Sequence, residues 1–409
     1  APIGRSMALR QQLKEAAPQL SASVPLWMLA FVALTIVLTV TERLGLSAEL
    51  TTSWVFTFFG VSAVLGIVLS IRFRQPLVFT GHILVVILFG SLGSETSFPE
   101  LVGAAMIAGA IILILGATGI TGKVTSWIPE PIVMGLIAGA VLPFVADMFT
   151  SLGTEPLVVG AVIAAFVASQ VFLDGISPII PALVVGVVVA GLAGQFGEQL
   201  PAFELPQPVL IVPAFSIDAI VAALPVLIVL VLAANIPSVI YLRNQGYEPP
   251  ERALNMASGG ATIIGSLFGP MAVAIPTPVL PIIGGPDAGP IEHRYRASVA
   301  SSVSWLVIAL GAATAAPLAM FLPRGLIVSV AGLALLSVLA ASLRDLVTGP
   351  LTLGPVVAFA VVMSDISLIG LGPFFWGLVL GTFISLVVER EGWKRLQDSA
   401  SAESDQVTR

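Results

Sequence analysis

Long apolar stretches follow one another along almost the whole chain, from Val24 to Val388, and only short polar or proline-containing links separate them. A helix that crosses a bilayer needs about 20 mostly apolar residues. The pattern predicts about fourteen spans, near residues 24–42, 54–71, 76–92, 101–121, 131–149, 157–173, 179–196, 219–242, 254–268, 270–285, 296–321, 325–343, 351–369 and 371–389. The third and tenth, at 76–92 and 270–285, are short for a complete crossing.

The composition supports an integral membrane protein. Of the 409 residues, 57% are hydrophobic and 10% are charged, whereas soluble domains carry roughly 25% charged residues. With no Cys and two His, thiolate metal sites and cysteine catalysis are excluded. No nucleophile elbow or metal-ligand motif points to an enzyme, so we expect no catalytic residues, no metal and no cofactor. The net charge of −6 argues against nucleic acid as a partner.

The positions of the basic residues predict the orientation in the membrane. With the N-terminus inside, all but two of the 17 Lys and Arg residues fall at cytoplasmic ends; Arg43 and Arg324 are the exceptions. Basic residues concentrate on the cytoplasmic side of membrane proteins. We therefore expect both termini, residues 1–23 and 390–409, to be cytoplasmic.

The two halves of the chain resemble each other. Residues 127–133 open the fifth span and residues 321–327 open the twelfth, in similar apolar contexts around Pro129 and Pro323. The same offset relates Pro76, before the third span, to Pro270, before the tenth. If the fourteen spans form two repeats of seven, the odd number of spans in each repeat gives the two repeats opposite orientations in the membrane. The pattern therefore predicts a seven-plus-seven inverted repeat.

The short third and tenth spans predict a binding site. A half-helix that begins at mid-membrane leaves backbone N–H groups that hydrocarbon does not tolerate without a cavity or a partner. Two such N-termini favour an anion or another hydrogen-bond acceptor. The alternative is that Pro76 and Pro270 start ordinary helices at the membrane interface.

The third-span stretch contains Phe79, Thr80 and His82, and we take these three as candidate substrate contacts. His82 is the only histidine inside a span, and ionisable groups at that depth are functional candidates. It could donate to a carboxylate or carry a coupling proton, since a free imidazole titrates near pH 6.5. The alternative is a neutral histidine bonded to a carbonyl.

The tenth-span stretch, residues 268–278, contains three prolines within nine residues and cannot form a regular helix. Extended backbone at this depth must line a cavity or be buried in protein. The candidate substrate contacts in this stretch are Met271, Ala272, Val273, Pro276 and Thr277. Most are apolar, which favours a ligand with a substantial apolar body. In the eighth span, Asn235 could bind substrate or cap the carbonyl groups that Pro237 frees.

Several stretches resemble the bacterial benzoate transporters of the BenE type. They are residues 235–247 and 267–269, 331–337 (Ala-Gly-Leu-Ala-Leu-Leu-Ser), and 368–378 with its Gly370, Gly372 and Phe375-Trp376-Gly377. The resemblance covers most of residues 25–388. It implies a place in the bacterial inner membrane and kinship with uracil permeases and sulfate-permease-type transporters.

That resemblance implies an all-α fold with two domains. A core domain (residues 24–121 and 219–321) would carry substrate between the half-helices, and a gate domain (131–196 and 325–389) would form the scaffold and a homodimer contact. Transport would resemble an elevator. The chain departs from the family in having Ala234-Asn235 before the eighth-span proline and in its proline-rich tenth span.

We therefore predict a secondary active transporter of a small organic anion, such as benzoate or a similar aromatic carboxylate, with possible proton coupling. A nucleobase or inorganic-anion carrier of the same fold is one alternative. An anion channel is another, although no stripe of polar pore-lining residues is present.

Overall fold

The fold was determined as a computed structural model, which describes residues 2–93, 96–121, 129–172, 178–197, 202–368 and 372–397. The described chain is mostly helical. The helices are α1 (Pro2–Arg43), α2 (Ala48–Phe73), α3 (Ile83–Leu92), α4 (Phe98–Thr118), α5 (Glu130–Thr150), α6 (Pro156–Phe172), α7 (Ile179–Leu192), α8 (Ile217–Asn244), α9 (Glu251–Ser266), α10 (Leu280–Gly284), α11 (Tyr295–Leu310), α12 (Ala312–Phe321), α13 (Arg324–Thr348), α14 (Leu353–Met363), α15 (Pro373–Val388) and α16 (Arg390–Gln397). Single 3-10 turns cover Ser151–Gly153, Thr277–Val279, Pro286–Ala288 and Ile291–His293.

Five of these helices are long and apolar enough to cross a bilayer uninterrupted: α2, α4, α5, α8 and α13. Helices α15 and α16 would count as a sixth span if joined, but they meet at a bend of 103°. Shorter apolar helices α3, α6, α7 and α14 fall within the remaining predicted spans. The helix count is compatible with the predicted number of spans, and the chain is a polytopic membrane protein.

Some boundaries differ from the prediction. The eleventh apolar stretch, expected as one span over 296–321, is two helices, α11 and α12, that meet at Gly311. The segment 1–23 is not separate from the first span, because α1 continues without a break from Pro2 to Arg43. One residue in each of the predicted sixth, thirteenth and fourteenth spans (173, 369 and 371) and residues 398–409 of the C-terminal tail lie outside the described residues.

The expectation of an all-α fold is wrong in one place. Two-residue strands β1 (Thr80–Gly81) and β2 (Val273–Ala274) form an antiparallel pair. Prolines at 270, 276 and 278 prevent a helix in the second segment, so its backbone groups need partners outside a helix. The first extended segment supplies them.

The halves of the chain interlock through closely packed helix pairs. Helix α4 packs on α9 and α2 on α11, whereas α5 packs on α13 and α14. Gly109 and Gly259 let α4 and α9 approach so closely that a Cβ at Gly109 would lie 2.9 Å from the Gly259 carbonyl oxygen. Small residues at such contacts are typical of membrane helices.

One carboxylate fixes the start of α14. Glu389, in the break beyond α15, accepts hydrogen bonds from the amides of Thr352 (2.6 Å), Leu353 (2.8 Å) and Gly354 (3.0 Å) and from the Ser385 hydroxyl (2.9 Å). Burial by itself would raise the pKa of the Glu389 carboxyl, but these hydrogen bonds outweigh burial and hold the pKa below its usual value. Free helix N-terminal amides prefer such a negative partner.

We expect Glu389→Ala to lower the free energy of unfolding by about 0.5–2 kcal/mol, the usual range for a lost helix cap. Because the folded carboxyl has the lower pKa, this stabilisation is present above about pH 4.3 and is lost as the pH falls through the folded pKa. Thermal unfolding in detergent checks the effect. Glu391→Ala, an exposed acid two residues away, is the control, and an equal loss in both variants would contradict the capping role.

Candidate functional site

The two broken spans meet through their extended segments. Thr80 lies opposite Ala274 and Gly81 opposite Val273 in the antiparallel pair, and the His82 amide donates to the Ala272 carbonyl at 2.8 Å. Helix α3 begins at the next residue, Ile83. The start of a ten-residue helix is therefore fixed against the extended segment that contains β2.

Asn235 anchors the second extended segment to the helices behind it. Its Oδ1 accepts from the Ile275 amide (2.9 Å), and its Nδ2 donates to Asn255 Oδ1 (2.9 Å) and to Ser258 Oγ (3.0 Å). The side chain is buried. The carboxamide therefore joins α8, α9 and the residue after β2, and its polar atoms are engaged within the protein.

Hydroxyl groups complete the support of this segment. Thr262 Oγ1 accepts from the Val273 amide at 3.0 Å. Thr277 Oγ1 donates to the Ala234 carbonyl at 2.8 Å and lies 2.9 Å from Ser238 Oγ. The first bond satisfies the Val273 amide, which lies outside a helix, and the other two tie Thr277 to α8, so that these buried polar groups have partners.

The sequence reasoning missed the polar face of α9, formed by Asn255, Ser258, Thr262 and Ser266. All four side chains are buried. Their spacing of three, four and four residues is that of one helix face. In a chain this apolar, such a polar stripe is a detectable signal for a helix that bonds to irregular backbone.

His82 is half-buried and stands directly before α3. Its ring faces the backbone carbonyl of Leu230 in α8, while its Nδ1 is buried and has no partner among the described residues. The first feature matches the structural alternative of a carbonyl-bonded histidine. The second leaves one ring nitrogen available, and the role of His82 in transport stays a prediction.

The remaining predicted contacts gather in the same place but differ in exposure. Thr80 is 8% exposed, and four side chains are at most 1% exposed: Phe79, Met271, Ala272 and Val273. Pro276 and Thr277 are half-buried. In this conformation the buried residues pack in the interior and could meet a ligand only through their backbone. Residues 276 and 277 are more exposed than the others.

Gly81 allows an aromatic ring to lie against the strand. A Cβ at this position would collide with the Phe58 ring, which itself stacks at 6.3 Å on Trp305 of α11. The strand pair is thus backed by rings from α2 and α11. Within the described ranges, no group of three or more His, Cys, Asp or Glu side chains could hold a metal ion.

Comparisons with known proteins show that the chain is similar to membrane transport proteins. Residues 15–387 match the family model described as "Benzoate membrane transport protein". The chain is 27% identical over 350 residues to the "Benzoate membrane transport protein" of Acinetobacter baylyi, which covers 83% of this chain and 87% of that one. It is 27% identical over 298 residues to the "Inner membrane protein YdcO" of Escherichia coli, which covers 71% and 76%.

Solved structures show the same fold. The transmembrane domain of the cyanobacterial bicarbonate transporter BicA aligns with a TM-score of 0.57 at 14% identity, over 92% of this chain and 98% of that one. SLC26A9 aligns with a TM-score of 0.55 at 17% identity, over 92% and 66%. The homologues are named as membrane transporters rather than enzymes, and the structural neighbours are anion transporters.

We expect Asn235→Ala to lower the free energy of unfolding by about 1–3 kcal/mol, because it leaves the buried Ile275 amide without an acceptor. Ligand binding should weaken too, since the segment after β2 loses its anchor. Thermal unfolding and ligand titration measure both. Asn244→Ala, at the exposed end of the same helix, is the matched control; unchanged stability of Asn235→Ala would contradict the anchoring role.

Proposed function

Since the chain belongs to the benzoate membrane transport protein family, we propose that it carries benzoate or a similar small aromatic carboxylate across the bacterial inner membrane. The observation that carries the proposal is the pairing of β1 with β2. It brings a helix start and the equivalent broken segment together inside a protein with few charges. The transport would be secondary active, with the protein as a fourteen-span inverted repeat.

The chemistry around the pair fits a carboxylate with an apolar body. The amides of Val85 and Val86 bond to the His82 carbonyl, whereas the Ile83 and Leu84 amides have no acceptor among the described residues. Such N-terminal amides attract an anion. Side chains nearby, including Phe79, are apolar, which suits a benzene ring better than a strongly hydrated inorganic ion.

An elevator-type mechanism is the second part of the proposal. Helices α2, α4, α9 and α11 pack across the two halves and would form a core that moves with the site. Helices α5, α13 and α14 pack on one another and would form the gate. We place a homodimer contact on the gate, whose helices α6 and α7 expose apolar side chains such as Phe172 and Leu192 that lipid or a second copy would cover.

Proton coupling is the third part. No carboxylate lies deep in the first, third, eighth or tenth spans, so His82 is the candidate carrier of a coupling proton. A protonated His82 would compensate the charge of a bound carboxylate. An anion that moves together with a proton crosses without net charge, and the negative-inside membrane potential then does not oppose uptake.

A thermal-shift screen tests the substrate class. Benzoate at about a hundredfold excess over its dissociation constant should stabilise the folded protein by about 2.7 kcal/mol. Related aromatic acids should act similarly, whereas aliphatic carboxylates, uracil, xanthine, bicarbonate and sulfate should not. A shift confined to a nucleobase or an inorganic anion would overturn benzoate as substrate and leave the fold assignment intact.

Substitution of His82 tests the coupling. In proteoliposomes with an acidic exterior, uptake by the wild type should exceed uptake without a pH gradient. His82→Gln, which keeps a hydrogen-bond donor but does not titrate near neutral pH, should lose that difference. His293→Gln, at the other histidine of the chain, is the control. A His82 variant with unchanged rate and pH dependence would remove this role.

A further inference from the structure

Two ion pairs fasten the end of α1 to helices of the predicted gate. The Arg43 guanidinium donates to the Asp147 carboxylate of α5 at 2.6 Å, and the Arg324 guanidinium of α13 donates to the Glu42 carboxylate at 2.6 Å. Glu42 and Arg43 are adjacent, so one helix end is bonded to two different gate helices. We call these four residues the latch.

Further contacts strengthen the latch. The Arg43 guanidinium lies 3.9 Å above the Phe144 ring of α5, a favourable cation–π distance. Glu155 accepts a hydrogen bond from the Gly325 amide at 2.9 Å, and its charge also acts on Arg324.

The latch connects physically to the candidate site. Helix α3, which begins beside the β1–β2 pair, runs to the same end of the molecule. There Gly90 lies against Val40 of α1 and the Phe144 ring, closely enough that a Cβ would press on both. The far end of α3 therefore packs between Val40 of α1 and Phe144 of α5, and Arg43 of the latch lies over that same Phe144 ring.

Arg43 and Arg324 are also the two basic residues that the charge distribution predicts to lie on the outer side of the membrane, opposite the cytoplasm. Both have an acidic partner across the boundary between the predicted core and gate. If the core moves against the gate during alternating access, contacts across that boundary at the outer end must separate when the site opens outward.

We propose that the latch closes the outer entrance of the transporter, so that separation of Arg43–Asp147 and Arg324–Glu42 is required for the site to face outward. The inference rests on the proposed elevator transport. The latch side chains are partly exposed, from 27% for Arg43 to 66% for Arg324. Exposed pairs of this kind are individually weak and screened by salt, which suits contacts that must break in every cycle.

Thiol labelling from outside tests the latch without any substrate. The chain contains no cysteine, so Ala234→Cys, half-buried beside Thr277, introduces a single thiol at the site. In right-side-out vesicles, Glu42→Arg or Arg324→Glu should raise its labelling rate by a membrane-impermeant maleimide about fivefold, the change that about 1 kcal/mol produces. The combined swap Glu42→Arg with Arg324→Glu should return the rate toward that of Ala234→Cys alone.

Glu49→Arg is the matched control, because Glu49 is exposed near the same end of the molecule and forms no ion pair within the described residues. Raising the salt from about 0.05 M to about 0.5 M should speed labelling of Ala234→Cys alone, because salt screens the ion pairs. It should not speed labelling further when Glu42→Arg or Arg324→Glu is also present. Should a reversal prevent folding, Arg324→Gln removes the charge without reversing it.

Three results would each overturn the latch. Labelling could be unchanged in Glu42→Arg and Arg324→Glu, Glu49→Arg could accelerate it equally, or the acceleration could occur only with reagent on the cytoplasmic side. These outcomes are independent of the substrate assignment. If benzoate does not bind but labelling responds as expected, the substrate proposal fails and the latch stands. If benzoate is taken up and labelling does not respond, the latch fails.

Discussion

Backbone amides and carbonyls that leave a helix inside a bilayer have no water to bond, and the arrangement of this protein follows from how it satisfies them. Prolines keep residues 270–278 out of a helix. The first extended segment then pairs with the second, Asn235 bonds to Ile275, and Thr262 bonds to Val273. Each partner comes from a different element, so α3, α8 and α9 are all fixed around one short strand pair.

This constraint explains why the candidate site is built mainly from backbone and packing. Side chains that a soluble binding site would turn toward its ligand, such as Asn235, are used here to support the chain itself. What remains for a ligand is the start of α3, a half-buried histidine and apolar walls. If the proposed site binds a carboxylate, it would select by shape and by the preference of helix amides for anions, with His82 as the one titratable side chain beside them.

Charges are scarce in this chain, and the described ones that form close contacts tend to hold element ends together. Glu389 caps α14 from the break beyond α15. Glu42 and Arg43 join the end of α1 to α5 and α13. Between these charged ends, close helix contacts depend on small residues such as Gly109 and Gly259. Apart from the polar groups that support the strand pair, the interior contacts are thus tight and apolar, whereas the contacts at the ends are polar and open to solvent.

The sequence by itself determined the class of protein, the positions of most apolar helices and the two places where helices break. Hydrophobicity, proline and charge act locally, so they are visible without a structure. The sequence did not reveal that the two breaks pair as strands, that Asn235 is engaged by α9 and Ile275, or that Arg43 and Arg324 bridge separate helices. Those features depend on contacts between residues 20 to 282 positions apart, and only the folded chain decides which distant groups meet.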